Sequence, residues 1–108
     1  MKAFEISELI EERERRNRLY LEFLRVASLS AGVYELPAGA SDPQQPHGED
    51  EIYYVIGGRG FIKVGDESRE VKPGSIIFVA AAVEHRFHTI TEDLTALVFF
   101  APPEGLPS

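Results

Sequence analysis

His47, Glu51 and His85 are the residues of this chain best suited to chemistry. The first two are four apart, and the third follows thirty-four residues after Glu51, at the end of an apolar run. Two imidazoles and one carboxylate form the donor set of an open mononuclear metal site, which leaves coordination positions free for substrate or oxygen. These donors imply one divalent ion (Fe, Mn, Zn, Ni or Cu) without choosing among them. The chain has no cysteine, which excludes thiolate ligands and disulfides. Gln45, two residues before His47, can bind through its carbonyl oxygen or hydrogen-bond a bound water.

These residues need a scaffold that converges on them. Residues 1–18 read as a short helical segment. Its helix runs from Ser7, as N-cap, to about Arg18, with Glu8 in the first turn and Glu11/Arg15, Glu12/Arg16 and Glu14/Arg18 at i,i+4 spacing. That charge run predicts a solvated helix face lying on the domain. From residue 19 to 101 the pattern is one of short strands separated by Gly and Pro turns. Apolar residues dominate Leu19–Leu29 and Ala31–Leu36, and Ser41–Pro46 reads as a loop. Ile52–Ile56 reads as a strand, Gly57-Gly58-Arg59-Gly60 as a tight turn, and Phe61–Val64 as the hairpin partner. Ile76–Val79, His85–Ile90 and Leu94–Phe100 read as three more strands, and residues 102–108 as an irregular tail. Strands at this spacing predict an all-β sandwich or barrel.

Strand alternation sorts the neighbours of the ligands. Tyr53 shares the face of Glu51, which fits a pocket-wall residue acting as proton donor or substrate contact, or an interior aromatic filling the barrel; it is the one candidate in a catalytic set the sequence leaves unknown. Phe87 shares the face of His85 and forms apolar pocket wall. His88 falls on the opposite face. Phe61, Phe78 and Phe99 fit either wall or core.

The glycines around the ligands carry a family resemblance. Gly39, five residues to Gln45, His47, Glu51 and Gly58 form one block; Gly74, Ala80, Ala82, His85 and Thr89 form a second. This resembles the two-motif signature of the cupin superfamily: Gly, five residues, His-x-His, three or four residues, Glu, six residues, Gly; then Gly, five residues, Pro-x-Gly, two residues, His, three residues, Asn. Gln45 stands at the family's first His. Ala80 and Ala82 replace the Pro and Gly, and Thr89 replaces the Asn. The resemblance implies a double-stranded β-helix, or jelly-roll barrel, over residues 19–101, with metal ligands at His47, Glu51 and His85.

Two functions follow as expectations. One is a metal-dependent enzyme of dioxygenase, isomerase, lyase or cyclase type, acting on a small organic molecule in the barrel. The other is a non-catalytic binding or sensing module using the same pocket. With 11 basic and 18 acidic residues, the net charge of -7 argues against a nucleic-acid partner. The absence of a membrane-length apolar run or a signal-peptide pattern leads to the expectation of a cytoplasmic protein with no membrane partner. Ile52, Tyr54 and Ile56 make the outer face of their strand apolar as well, which predicts a homodimer.

Overall fold

The computed structural model describes residues 1–43, 46 and 48–105. One helix, α1 (Ile6–Arg15), precedes six strands: β1 (Tyr20–Arg25), β2 (Ser30–Leu36), β3 (Asp50–Val64), β4 (Glu67–Val71), β5 (Ile76–Val79) and β6 (His85–Ala101). They form one antiparallel sheet in the order β1-β2-β6-β3-β4, with β5 paired to β3 off that path.

The long strands β3 and β6 give the barrel its shape. The first half of β3 pairs with β5 and the last third of β6; its second half pairs with β4 and the start of β6. Register shifts between Val55 and Phe61 bend β3 from one half to the other. Gly57-Gly58-Arg59-Gly60 is therefore a run of bulges inside one strand, and the expected hairpin turn does not exist. Gly58 shows why glycine is needed. Its φ is +87°, and a β-carbon there would collide with the backbone carbonyl of Asp93 on β6. The segments His85–Ile90 and Leu94–Phe100, expected as two strands, are likewise one continuous strand.

The inner face carries the core. Tyr34, Tyr53, Val55, Ile62, Phe87, Leu94 and Phe100 belong to one buried cluster. Strand β3 begins exposed-buried-exposed-buried, so parity alone sends Glu51, Tyr53 and Val55 inward.

The helix is shorter than the sequence predicts. Its N-cap is Glu5, two residues before the expected Ser7 and without a side-chain cap, so Ser7 lies inside the first turn of the helix. It ends at Arg15, and Asn17 follows in the left-handed conformation at φ 51°. Among the expected i,i+4 pairs, Glu12–Arg16 forms an exposed contact at 3.4 Å. Leu9 and Arg13, one turn apart, are buried. Arg13 donates to Glu35 Oε2 of β2 and to the Arg18 carbonyl, each at 2.7 Å, and Thr95 of β6 donates to Glu35 Oε1 at 3.0 Å. The helix is thus pinned to the barrel through one buried guanidinium, and its charge run is only partly a solvated face. Among the described residues, no helix is long and apolar enough to cross a membrane.

Candidate metal centre

Glu51 is the second residue of β3, flanked by Val79 of β5 on one side and Phe100 of β6 on the other. It is only 2% exposed, and neither carboxylate oxygen accepts an aligned hydrogen bond. A buried carboxylate in that state is costly unless a cation compensates it.

His85 opens β6 on the same inner face, 7% exposed. It is delivered by a turn over residues 80–83, in which the Val83 N–H donates to the Ala80 carbonyl at 3.2 Å. Ala82, at the family's glycine position, adopts φ 65° in that turn. The turn aims the Val83 carbonyl at the imidazole, and Nδ1 lies 3.0 Å from it. A carbonyl can only accept, so Nδ1 carries the proton and the lone pair of a neutral ring sits on Nε2. That nitrogen is 2.6 Å from Glu51 Oε1.

Two lone-pair atoms at this separation repel unless a positive charge serves both. A proton can do so: burial opposes the charged imidazole, but the Glu51 carboxylate, together with the Val83 carbonyl, outweighs it and holds His85 above the usual imidazole range. A divalent ion can do so as well, because carboxylate oxygen and imidazole nitrogen are its normal donors. The pair therefore fits a metal ion, with Val83 in the supporting role that fixes the ligand's tautomer.

Tyr53 and Phe87 lie where alternation places them. Both are buried, their rings meet edge-on at 4.9 Å, and the Tyr53 ring is 6.1 Å from that of His85. His47 and Gln45 lie outside the described residues. Among the described residues no third imidazole or carboxylate joins Glu51 and His85. His88 is outside the core cluster, hydrogen-bonded to Ser68 at 2.9 Å and to Thr89 at 3.0 Å, and stacked on Phe61. Phe78 and Phe99 are neither wall nor core: they share the outer face with Ile52, and Phe78 is 59% exposed. Their even and odd positions on two different strands put them on that face together.

The sequence did not single out Asp42. Its Oδ1 accepts from the Tyr34 hydroxyl at 2.7 Å, and its Oδ2 from the Phe87 N–H at 2.9 Å. It ties the loop after β2 to the open edge of β6, next to His85. A cavity of about 550 Å³ opens there, lined by Asp42, Pro43, Pro46, Lys63, His85 and Arg86 among others. An acid inside a Ser-Asp-Pro loop is a weak signal, since such residues usually close turns.

Comparison with known proteins follows the same architecture. The cupin domain pattern matches residues 32–101. An uncharacterized protein of Streptomyces coelicolor is 50% identical over 105 residues, covering 97% of this chain and 100% of that protein. Acireductone dioxygenase 2 of Arabidopsis thaliana is 30% identical over 86 residues, covering 75% of this chain and 44% of its own length. The chain therefore spans less than half of that enzyme. The crystal structure of TT1209 from Thermus thermophilus superposes with a TM-score of 0.77 at 21% identity, covering 95% of this chain and 99% of that one.

Proposed function

Because the chain belongs to the cupin family, we propose that it holds one divalent metal ion in its barrel and acts on a small organic molecule there. The observation that carries this reading is the buried Glu51–His85 pair, whose facing lone pairs need a shared positive charge that a metal ion can supply. Glu51 and His85 would hold the ion, together with His47 and with Gln45 as a weaker donor. The ion would be Fe, Mn, Zn, Ni or Cu. When bound, it supplies Lewis-acid polarisation of a substrate oxygen or, if redox-active, oxygen chemistry.

The chain's own residues do the rest. Val83 keeps the proton of His85 on Nδ1, so Nε2 faces the barrel as a donor. Tyr53, buried and packed edge-on against Phe87, would form apolar wall beside the imidazole. Asp42 holds the neighbouring loop at the cavity. Tyr53, on the same face of β3 as Glu51, would be the residue to exchange a proton with a bound molecule.

We favour a metal-dependent enzyme of dioxygenase, isomerase, lyase or cyclase type; a relative named for dioxygenase activity supports it. The second reading is a non-catalytic small-molecule module. Oxygen uptake or turnover by metal-loaded protein, offered a catechol, a diketone or a thiol, supports the enzyme. Metal binding with ligand-induced thermal stabilisation and no turnover supports the module. We further propose a cytoplasmic homodimer. Ile52, Tyr54, Ile76, Phe78 and Phe99 are neighbours across β3, β5 and β6, and each is at least 40% exposed. A contiguous apolar surface of this kind fits the same surface of a second copy.

A further inference from the structure

Tyr20 opens β1 and pairs with Tyr34 of β2. Its ring meets those of Tyr34 and Phe100 edge-on, each at 6.3 Å between centroids. The ring fills the space above Gly32, where any β-carbon would collide with it. Gly32 pairs with Val98 and Ser30 with Phe100, while Phe100 also pairs with Glu51. Tyr20 therefore leans across the inner face of β2 toward the strand row that carries Glu51. Glycine at 32 keeps that path open.

The two paired tyrosines differ at their hydroxyls. Tyr34 donates to Asp42. The Tyr20 hydroxyl is buried, and no described protein group partners it. An unpaired buried hydroxyl costs stability. Phenylalanine would fill the same space without that cost, so the oxygen needs another reason to be there.

We propose that the Tyr20 hydroxyl donates a hydrogen bond to an acceptor oxygen of the small molecule bound in the barrel, on the Glu51 side. The inference rests on the reading of the barrel as a binding site and adds a residue and a ligand class to it. Burial, with the nearby carboxylates of Glu104 and Glu22, raises the pKa of this phenol well above its ordinary value. It stays a donor at neutral pH. Glu51, as a carboxylate, only accepts. The complementary ligand presents a carbonyl, enolate or carboxylate oxygen to Tyr20.

The test compares wild type with Tyr20→Phe, using cobalt(II) as the metal and acetohydroxamate as a small oxygen-donor probe. Cobalt affinity is expected to be the same in both. Acetohydroxamate is expected to bind the loaded variant about tenfold more weakly, as befits one lost hydrogen bond. Metal-free Tyr20→Phe is expected to melt about 4 °C or more above wild type, because an unpaired polar atom has gone. Equal probe affinity overturns the proposal, and so does a lower melting temperature for the variant, which would mean the hydroxyl is satisfied within the protein. Cobalt-loaded wild type that ignores the probe overturns the proposal and leaves the metal reading intact. Wild type that takes no cobalt overturns the metal reading; the probe is then titrated into the unloaded proteins, and protection no greater for wild type than for the variant overturns the Tyr20 proposal too.

Discussion

Replacing Ala82 with glycine should stabilise the protein, and the amount can be worked out from the backbone. Ala82 sits at φ 65° in the turn that delivers His85. A left-handed conformation costs an L-residue about 1–2 kcal/mol, because the β-carbon crowds the following carbonyl. Glycine escapes that cost but gives the unfolded chain about 0.5–1 kcal/mol of extra conformational entropy to lose. The side chain is exposed and belongs to no cluster, so no packing is forfeited. The net gain for Ala82→Gly is about 0.5–1 kcal/mol, or roughly 4 °C in melting temperature for a domain of this size. Urea and thermal unfolding of metal-free protein at fixed pH would measure it. The affinity for metal should not change, since the turn already holds its geometry. A variant destabilised by about 0.5 kcal/mol or more would refute the claim that strain is stored here.

Other outcomes follow from the same contacts. Arg13→Ala removes the buried guanidinium that joins α1 to Glu35 and should cost about 2–3 kcal/mol, less than a fully buried pair because Glu35 keeps some solvent; an unchanged urea midpoint would mean the helix is not docked. His85 is held above its usual range by Glu51 and Val83 despite its burial. A raised folded-state value stabilises the metal-free protein fully below about pH 6.5 and loses that contribution as pH rises through the folded value. Metal-free stability should therefore fall between neutral and alkaline pH while apparent metal affinity climbs, because proton and metal compete for one position; pH-independent affinity would contradict this. Phe78→Asp places a charge in the exposed apolar face and should convert a dimer, about twice the 12.0 kDa chain, to monomer by light scattering. Wild type that is already monomeric would remove the dimer proposal.

What the sequence made legible was mostly parity. Two-residue alternation sends Glu51 with Tyr53, and His85 with Phe87, to the inner face, and no long-range information is needed for that. The glycine run at 57–60 was read as a turn because glycine marks turns and bulges alike. Only the partner strand distinguishes them, and the β6 residues paired there lie far along the chain. The same limit hid the anchoring of the helix. Arg13 stands within a run of alternating charge, yet its partner is Glu35 on another element. Asp42 and Tyr20 were missed for a related reason. Each matters through what the folded barrel places beside it: the Phe87 N–H for one, the side-chain-free Gly32 under the ring for the other. The alanine and threonine at the family's glycine and asparagine positions both adopt the left-handed backbone here, with Ala82 at φ 65° and Thr89 at φ 49°. Ala82 thus holds a left-handed turn position that glycine occupies more easily.

The central claim is that Glu51 and His85 share a metal ion. Zinc or manganese titration by calorimetry, on protein purified without a histidine tag and stripped of metal, tests it most directly, with Glu51→Ala and His85→Ala alongside. One divalent ion per chain is expected in the wild type. Binding at least a hundredfold weaker, about 2.7 kcal/mol or more, is expected in either variant, because each removes one strong donor from a set of few. Wild-type stoichiometry and affinity surviving in both variants would contradict it, and would leave the buried pair joined by a proton alone.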